Sequence, residues 1–452
     1  IFRRLAPKIA TRLATAKVPD EALVQFDRFL SGLPAGVQVF SLFEANPDLL
    51  DLLVEICAVA PRLAGYLGRH ANVLDAVLAP DFFQPLGDAA DLAAELTAAL
   101  QPIDDYERRL DLVRVWVRER HFRIGVQALR GIAAPEAAAR DYANLAEASL
   151  RALLPVVTED VARRFGPPPG AGLAVLGMGK LGSREMTAAS DLDLIMIYDA
   201  AGVEASEGPK SLAAPAYYAR LTKTLLSALT VPTAEGGLYE VDMRLRPSGR
   251  QGPVATSLAS FAAYQRSEAW TWEHLALTRA RLVAASSADL GARVEAAVAD
   301  GLGAARPALE IMADVRDMRR RLLEAKGGGD VWEVKAGPGR LLDMDLFLQA
   351  GALVEGLRGV RAPQEMVSAL EERAFLGGAD AERLREAYRI FSTVQHLARV
   401  AVDGELRPEK IGAGLGDVLT RGLDMPDLAT LEARMGALAA EAAALIDRGV
   451  GA

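Results

Sequence analysis

The feature that most constrains the fold is a pair of strand-like stretches joined by a glycine-rich turn. Residues 173–176 are apolar, and the stretch 191–199 contains a continuous apolar run of the kind found in a central strand buried on both faces. Only residues 183–190 separate the end of the glycine turn from the second stretch. A helix that crosses over between parallel strands needs about a dozen residues, so this spacing argues against a parallel βαβ unit.

The glycine turn itself has two interpretations. Gly177-Met-Gly-Lys-Leu-Gly182 fits the G-x-G-x-x-G pattern of dinucleotide sites, and Asp199 follows about 20 residues later, as that pattern requires. A Rossmann oxidoreductase is therefore a competitor. The short spacing to the next strand, and the two aspartates where that strand begins, argue against it.

We interpret the turn as a phosphate-binding loop. Glycines at 179 and 182 would let backbone N–H groups approach a triphosphate, and a short helix starting near Ser183 would add its N-terminal donors. Lys180 would neutralise phosphate charge, and the Ser183 hydroxyl would donate to a phosphate. The alternative for Lys180 is a surface turn residue.

Asp191 and Asp193 are the first candidates for chemistry. On a strand, residues two apart point to the same face and lie roughly 7 Å apart. Two carboxylates that converge in this way repel each other unless a cation lies between them. Mg²⁺ is the natural partner, because it takes hard oxygen ligands and keeps waters that a phosphate can replace.

A second strand, predicted over residues 238–245, supplies a third carboxylate. Its apolar and polar residues alternate, and Asp242 lies on the polar face with Arg244 and Arg246. If this strand lies beside the first, Asp191, Asp193 and Asp242 can hold two Mg²⁺ ions about 4 Å apart for in-line nucleotidyl transfer. Asp242 would be a metal ligand or a general base, and the two arginines would lie near the phosphates. The competing interpretation is that these charges form solvated strand faces.

The rest of the sequence predicts helices, including 213–229 and 257–283, in an α+β protein that is predominantly helical. The net charge of −9 argues against nucleic acid as a ligand, although a small triphosphate needs only a local cluster of cations. No apolar run is long enough to span a membrane, so we expect a cytoplasmic protein that binds no membrane. Cys57 lies in an apolar helical pattern and is expected in the core. The chain begins with Ile1, and we expect it to be part of a longer polypeptide.

Four segments together resemble the glutamine synthetase adenylyltransferase family, whose members both add and remove AMP. The similarity extends from Leu33–Val37 to Lys335–Gln349, and its specific segments are Gly177–Glu185, Ser190–Leu194, Tyr239–Gly249 and Glu268–His274.

The resemblance implies a polymerase-β-like nucleotidyltransferase domain with a small mixed sheet over residues 101–305. A helical linker or regulatory region would cover residues 1–100, and a C-terminal helical bundle residues 306–452. It also implies transfer of AMP from ATP to a tyrosine hydroxyl of glutamine synthetase. Glutamine and the PII signal protein would act as regulators. The segment Glu268–His274 and the acidic Asp343 resemble the transferring half of such enzymes. The alternatives are the adenylyl-removing half and a non-catalytic nucleotide-sensing module.

The segment from Gly339 to Leu346 departs from the family pattern. Arg340 replaces a glycine and Asp345 a glutamate, so these residues are left out of the catalytic set. Trp270 and Trp272 could stack on adenine, but we expect them to pack a helix against the sheet. His274 is expected to be a structural hydrogen-bonding residue.

Overall fold

Helices dominate the protein, as the sequence predicts. The structure is a computed structural model that describes residues 2–31, 36–67, 77, 82–303, 306–326, 329–402 and 404–451. Residues 33–35 of the family-like segment lie outside the described residues. Among the described helices, none combines the length and the apolarity that a bilayer crossing requires.

Eight helices precede the sheet in the described part of the chain. Their starts follow simple capping rules: Pro47 occupies the first turn of α4, and Asp88 caps α6 by accepting hydrogen bonds from two backbone N–H groups. The helices are α1 (Phe2–Leu13), α2 (Pro19–Ser31), α3 (Gly36–Ala45), α4 (Pro47–Val59), α5 (Pro61–Leu67), α6 (Ala89–Leu100), α7 (Tyr106–Leu129) and α8 (Pro135–Phe165).

The sheet formed by the described residues has five strands with the order β3-β2-β1-β5, and β4 also pairs with β2. The long strands β1 and β2 are antiparallel, with Gly172 opposite Asp199 and Gly177 opposite Leu194. This pairing confirms that the glycine turn does not lead into a parallel crossover. The strands are β1 (Gly172–Gly177), β2 (Leu192–Asp199), β3 (Val241–Asp242), β4 (Thr256–Ser257) and β5 (Arg281–Ala285).

The helices between and after these strands are α9 (Gly179–Ser183), α10 (Ala214–Thr230), α11 (Leu258–Ser267), α12 (Thr271–Leu277) and α13 (Ala288–Leu302). The prediction of a helix over 213–229 is confirmed by α10. The prediction of helix over 257–283 is confirmed by α11 and α12 but is wrong at its end, because residues 281–285 form β5 against β1.

The strand predicted over 238–245 is much shorter than expected. Only Val241 and Asp242 pair with β2, and a turn follows. The Asp242 carboxylate accepts a hydrogen bond from the backbone N–H of Arg244, at 2.8 Å, so side-chain bonding to the main chain replaces the ladder there.

The described C-terminal residues form six further helices: α14 (Ala308–Lys326), α15 (Leu341–Val354), α16 (Pro363–Glu372), α17 (Gly378–Ala401), α18 (Ala413–Leu423) and α19 (Leu428–Gly449). They share one hydrophobic cluster with the N-terminal helices, and Cys57 is buried in it, as predicted. A second cluster joins α6, α7, α8 and α10 to the sheet. The domain boundaries at residues 100 and 305 stay a prediction, since the first and last regions pack together.

Candidate active site

Two of the three predicted carboxylates lie side by side on neighbouring strands. Asp193 of β2 is in parallel register with Asp242 of β3, so both side chains leave the same face of the sheet. Asp191 is exposed and lies in the loop just before β2, two residues ahead of Asp193. Together the three aspartates form a group of negative charges at the edge of the sheet.

The charges in this group act on one another. Burial, followed by the charges of Asp242 and Asp191, raises the pKa of Asp193 to about 6. Arg279 and Lys335 oppose that rise. A carboxyl group whose ionisation is disfavoured by its neighbours is a functional-site candidate, because a bound cation would relieve the repulsion.

Asp242 is held by Arg244 in this structure. The Arg244 guanidinium donates from Nε to Oδ2 of Asp242 at 2.6 Å, and its backbone N–H donates to Oδ1 at 2.8 Å. The hydrogen bonds from the Arg244 side chain and backbone keep the pKa of Asp242 below its ordinary value. Within the described ranges, no three His, Cys, Asp or Glu side chains are arranged as a ready set of metal ligands.

The glycine turn packs its backbone against Asp193. The N–H of Met178 donates to the carbonyl oxygen of Asp193 at 2.8 Å. Gly179 has a φ of +51°, and a Cβ at that position would lie 2.5 Å from Oδ2 of Asp193. A Cβ on Gly182 would lie 2.0 Å from the carbonyl oxygen of Arg279. Glycine is required at both positions because the chain has no room for a side chain.

The short helix of this turn differs from the prediction. It begins at Gly179 and ends at Ser183, whereas the sequence suggested a start near Ser183. It ends there because Arg184 adopts a left-handed conformation. The Ser183 hydroxyl is buried and donates to Oε2 of Glu185 at 2.9 Å.

Lys180 and Arg246, both predicted near phosphates, are bonded elsewhere. The Lys180 ammonium donates to the Gln395 side chain of α17, and burial lowers its pKa to about 8. The Arg246 guanidinium donates to backbone carbonyls of its own turn, including that of Met243 at 2.8 Å. Lys180 therefore bonds to a neighbouring helix and Arg246 to the backbone of its own turn. Arg244, in contrast, is exposed beside Asp242.

A buried ionic network lies under the glycine turn. Arg279 donates to Asp345 Oδ2 at 2.8 Å, to Glu185 Oε2 at 3.0 Å and to Ser183 Oγ at 2.6 Å. Only 5% of Arg279 is exposed. Tyr388 contributes its hydroxyl, 3.3 Å from Oδ1 of Asp345. This network, which we call the Arg279 cluster, connects the turn to α15 and α17.

Sequence reasoning missed the Arg279 cluster. It left Asp345 out of the catalytic set and did not connect it with Arg279. The one local signal was the pair of carboxylates at 343 and 345 at the start of a very apolar helix. An acid on such a helix requires a buried partner.

The motif Glu268–His274 also differs in part from expectation. Trp270 and Trp272 are 69% and 42% exposed, so the prediction that they pack a helix against the sheet is wrong. His274 is buried, and its Nε2 lies 2.9 Å from the carbonyl oxygen of Gln265, which confirms a structural role.

Comparison with known proteins identifies the family of this chain. A family model described as glutamate-ammonia ligase adenylyltransferase matches residues 50–297. A bifunctional glutamine synthetase adenylyltransferase/adenylyl-removing enzyme of Mesorhizobium japonicum is 42% identical over 435 residues, which cover 95% of this chain and 44% of the relative. The protein of that name from Rhodopseudomonas palustris strain TIE-1 is 41% identical over 458 residues, covering 100% of this chain and 46% of the relative. This chain thus spans less than half the length of these curated relatives. Since the family model covers more than half of its residues, the chain belongs to the glutamate-ammonia ligase adenylyltransferase family.

Proposed function

We propose that this chain transfers AMP from ATP to a tyrosine hydroxyl of glutamine synthetase and releases pyrophosphate. The observation that carries the proposal is the in-register pair Asp193 and Asp242, with the backbone of Gly179 packed on the Asp193 carboxylate. Such an arrangement places acidic groups and a turn without side chains around the same space, as nucleotidyl transfer requires. The names of the relatives support glutamine synthetase as the acceptor.

The residues present fit Mg²⁺. Asp191, Asp193 and Asp242 are hard oxygen donors, and Asp193 carries a raised pKa that a cation would lower again. When bound, Mg²⁺ would neutralise these carboxylates and polarise the phosphate oxygens of ATP. Arg244 would have to release Asp242, and its largely exposed side chain leaves it free to do so.

Each group of the chain has a distinct part in this proposal. Gly179 and Gly182 keep the turn free of side chains where the phosphates would lie. Arg244, once released from Asp242, would bind phosphate. Asp242 would accept the tyrosine proton or serve as a ligand. Contact of Ser183 and Arg246 with phosphate stays a prediction, because both side chains already bond to neighbouring groups of the protein.

Two other functions remain candidates, because the relatives' names include adenylyl removal. The chain could instead be the half that removes AMP from glutamine synthetase by phosphorolysis. It could also bind nucleotide without turnover. The segments Glu268–His274 and Asp343 favour the transferring half through their resemblance to it. Glutamine and the PII signal protein are proposed as regulators on the same ground.

The deciding experiment offers the chain two sets of substrates. One contains labelled ATP, Mg²⁺ and unmodified glutamine synthetase, and the other contains phosphate, Mg²⁺ and adenylylated glutamine synthetase. Label on the acceptor supports transfer, whereas release of ADP from the second mixture alone supports removal. Magnesium-dependent ATP binding with neither reaction supports a sensing module.

Matched variants locate the reaction. Asp191→Asn and Asp193→Asn should abolish AMP transfer while the far-ultraviolet circular dichroism stays unchanged. Asp289→Asn changes an exposed aspartate on α13 in the same way and should retain full activity. Full activity in either of the first two variants would refute the assignment of the site.

A further inference from the structure

Lys335 is a cation whose charge forms no ion pair within the described part of the fold. It is exposed and lies on the loop between α14 and α15. Its backbone is fixed on both sides, since its N–H donates to Glu333 Oε1 at 2.8 Å and its carbonyl accepts from the N–H of Leu342 at 2.9 Å. Within the described part of the chain, its ammonium has neither a hydrogen bond nor an ion pair.

Two side chains, those of Arg340 and Asp343, hold the loop that carries Lys335 in place. Arg340 donates to the carbonyl oxygens of Glu333, of Gly329 at 3.2 Å and of Ala336 at 3.4 Å. Asp343 accepts from the N–H of Gly339 at 2.8 Å and pairs with Arg319. Arg340 thus stabilises the loop at the position where the family pattern has glycine.

This loop brings Lys335 close to the glycine turn. Lys335 lines a cavity of about 480 Å³ together with Lys180, Gly182 and Ser183 of the turn. An exposed ammonium is therefore held beside the turn over which the phosphates would lie.

Two of the other cations near this turn are already bound. Lys180 donates to Gln395, and Arg279 is surrounded by Glu185, Asp345 and Ser183. Moving either one toward a ligand would leave buried acids or amides without a partner, which is costly. The Lys335 ammonium has no partner to leave among the described residues, so its movement toward a ligand carries no such cost.

We propose that Lys335 binds the terminal phosphates of the nucleotide, the role that the sequence suggested for Lys180. The proposal rests on the proposed function, in which ATP is the co-substrate. Lysine suits this task because it presents a compact charge on a flexible stem to a phosphate. If the chain removes AMP instead, the same ammonium would bind the attacking inorganic phosphate.

The test measures equilibrium binding of ATP and of AMP to the 452-residue chain with Mg²⁺, by competition with a fluorescent nucleotide. Lys335→Gln should weaken ATP binding about tenfold to a hundredfold, the range for losing one charge-assisted hydrogen bond. AMP binding should change less than about twofold, because AMP lacks the terminal phosphates. Lys335→Arg should restore part of the ATP affinity. Lys223→Gln removes an exposed lysine of α10 and should change neither affinity.

The outcomes separate this inference from the proposed function. Unchanged ATP binding in Lys335→Gln, or equal weakening for ATP and AMP, overturns the inference. Loss of ATP affinity in a folded Lys180→Gln variant but not in Lys335→Gln returns the role to Lys180. If the wild-type chain binds ATP through Lys335 but transfers no AMP, the proposed function fails and the inference stands. If it binds no ATP, both fail.

Discussion

Replacing Asp193 with Asn should make the folded protein more stable at pH 7, even though it should abolish activity. Burial, with the charges of Asp242 and Asp191 acting in the same direction, raises the pKa of Asp193 from 3.8 to about 6. The folded state therefore holds this proton more tightly than the unfolded chain does. The stability that protonated Asp193 contributes is fully present below pH 3.8 and is lost as the pH rises through about 6.

The pKa difference sets the size of the effect. A rise from 3.8 to about 6 corresponds to roughly 3 kcal/mol at pH 7. An asparagine has nearly the same shape and carries no charge, so Asp193→Asn should recover about 2 to 3 kcal/mol of the free energy of unfolding. The recovery should fall below about 1 kcal/mol at pH 4, where Asp193 of the folded protein is itself protonated.

Urea unfolding at pH 7 and pH 4, without divalent cations, measures both values. Asp199→Asn is the matched control, because the hydrogen bonds from the Arg293 side chain and from the backbone N–H of Ala201 keep the pKa of Asp199 low. That variant should lose up to about 1 kcal/mol at pH 7, the opposite sign. If Asp193→Asn were less stable than the wild type at pH 7, the Asp193 carboxylate could not be a buried charge repelled by its two neighbours.

Three more predictions test the surroundings of the site. Asp345→Asn should lower the free energy of unfolding by about 2 kcal/mol, because Arg279 keeps only one carboxylate partner. Asp345→Glu should restore much of the loss. An unchanged free energy of unfolding in Asp345→Asn would contradict this role for the pair of Arg279 and Asp345. Glu147→Ala should cost about 3 to 5 kcal/mol in thermal or urea unfolding, since Glu147 is fully buried beneath three arginines and its removal leaves their charges unpaired; a loss below about 1 kcal/mol would show that water compensates. The double variant Trp270→Phe/Trp272→Phe should lose most of the fluorescence that iodide quenches, because the other tryptophans are at most 7% exposed; strong quenching that persists would place the exposed rings elsewhere.

The parts of the fold that the sequence predicted depend on short-range patterns. The apolar runs at 173–176 and 191–199 became β1 and β2, and the spacing after Gly182 correctly argued against a parallel βαβ unit. The helix over 213–229 is also present. Each of these follows from periodicity or chain length alone, which act over about ten residues.

The errors arose where distant residues decide the local structure. Residues 281–285 are compatible with helix, but pairing with β1 and the contact of Arg281 with Glu147 fix them as β5. The alternation over 238–245 favoured a long strand, yet Arg244 and Arg246 bond to nearby side-chain and backbone oxygens and turn the chain. Intrinsic strand preference cannot anticipate such competition.

The same limit explains what the sequence suggested about the candidate site. Alternation, a local property, placed Asp191 and Asp193 on one strand face and Asp242 on the polar face of another. That the two strands are neighbours was a condition of the prediction, and the structure meets it for Asp193 and Asp242. Whether these groups are catalytic stays a prediction. The sequence could not distinguish cations that are free to bind phosphate from cations that bond to the fold. Lys180 belongs to the second group, because its partner lies on α17, which is remote along the chain.

A cation near phosphate can serve the fold or the ligand, and the partners it already has decide between these uses. Lys180 and Arg279 have partners on other helices, so their charges balance buried groups and keep the glycine turn rigid. Arg244 and Lys335 are exposed, and the charge of Lys335 has no partner among the described residues. The carboxylates, in turn, oppose folding through the raised pKa of Asp193. In the proposed function, the acids of the Arg279 cluster beneath the site keep it stable because they are paired, and the charge of Lys335 beside it, unpaired within the described ranges, would bind the nucleotide.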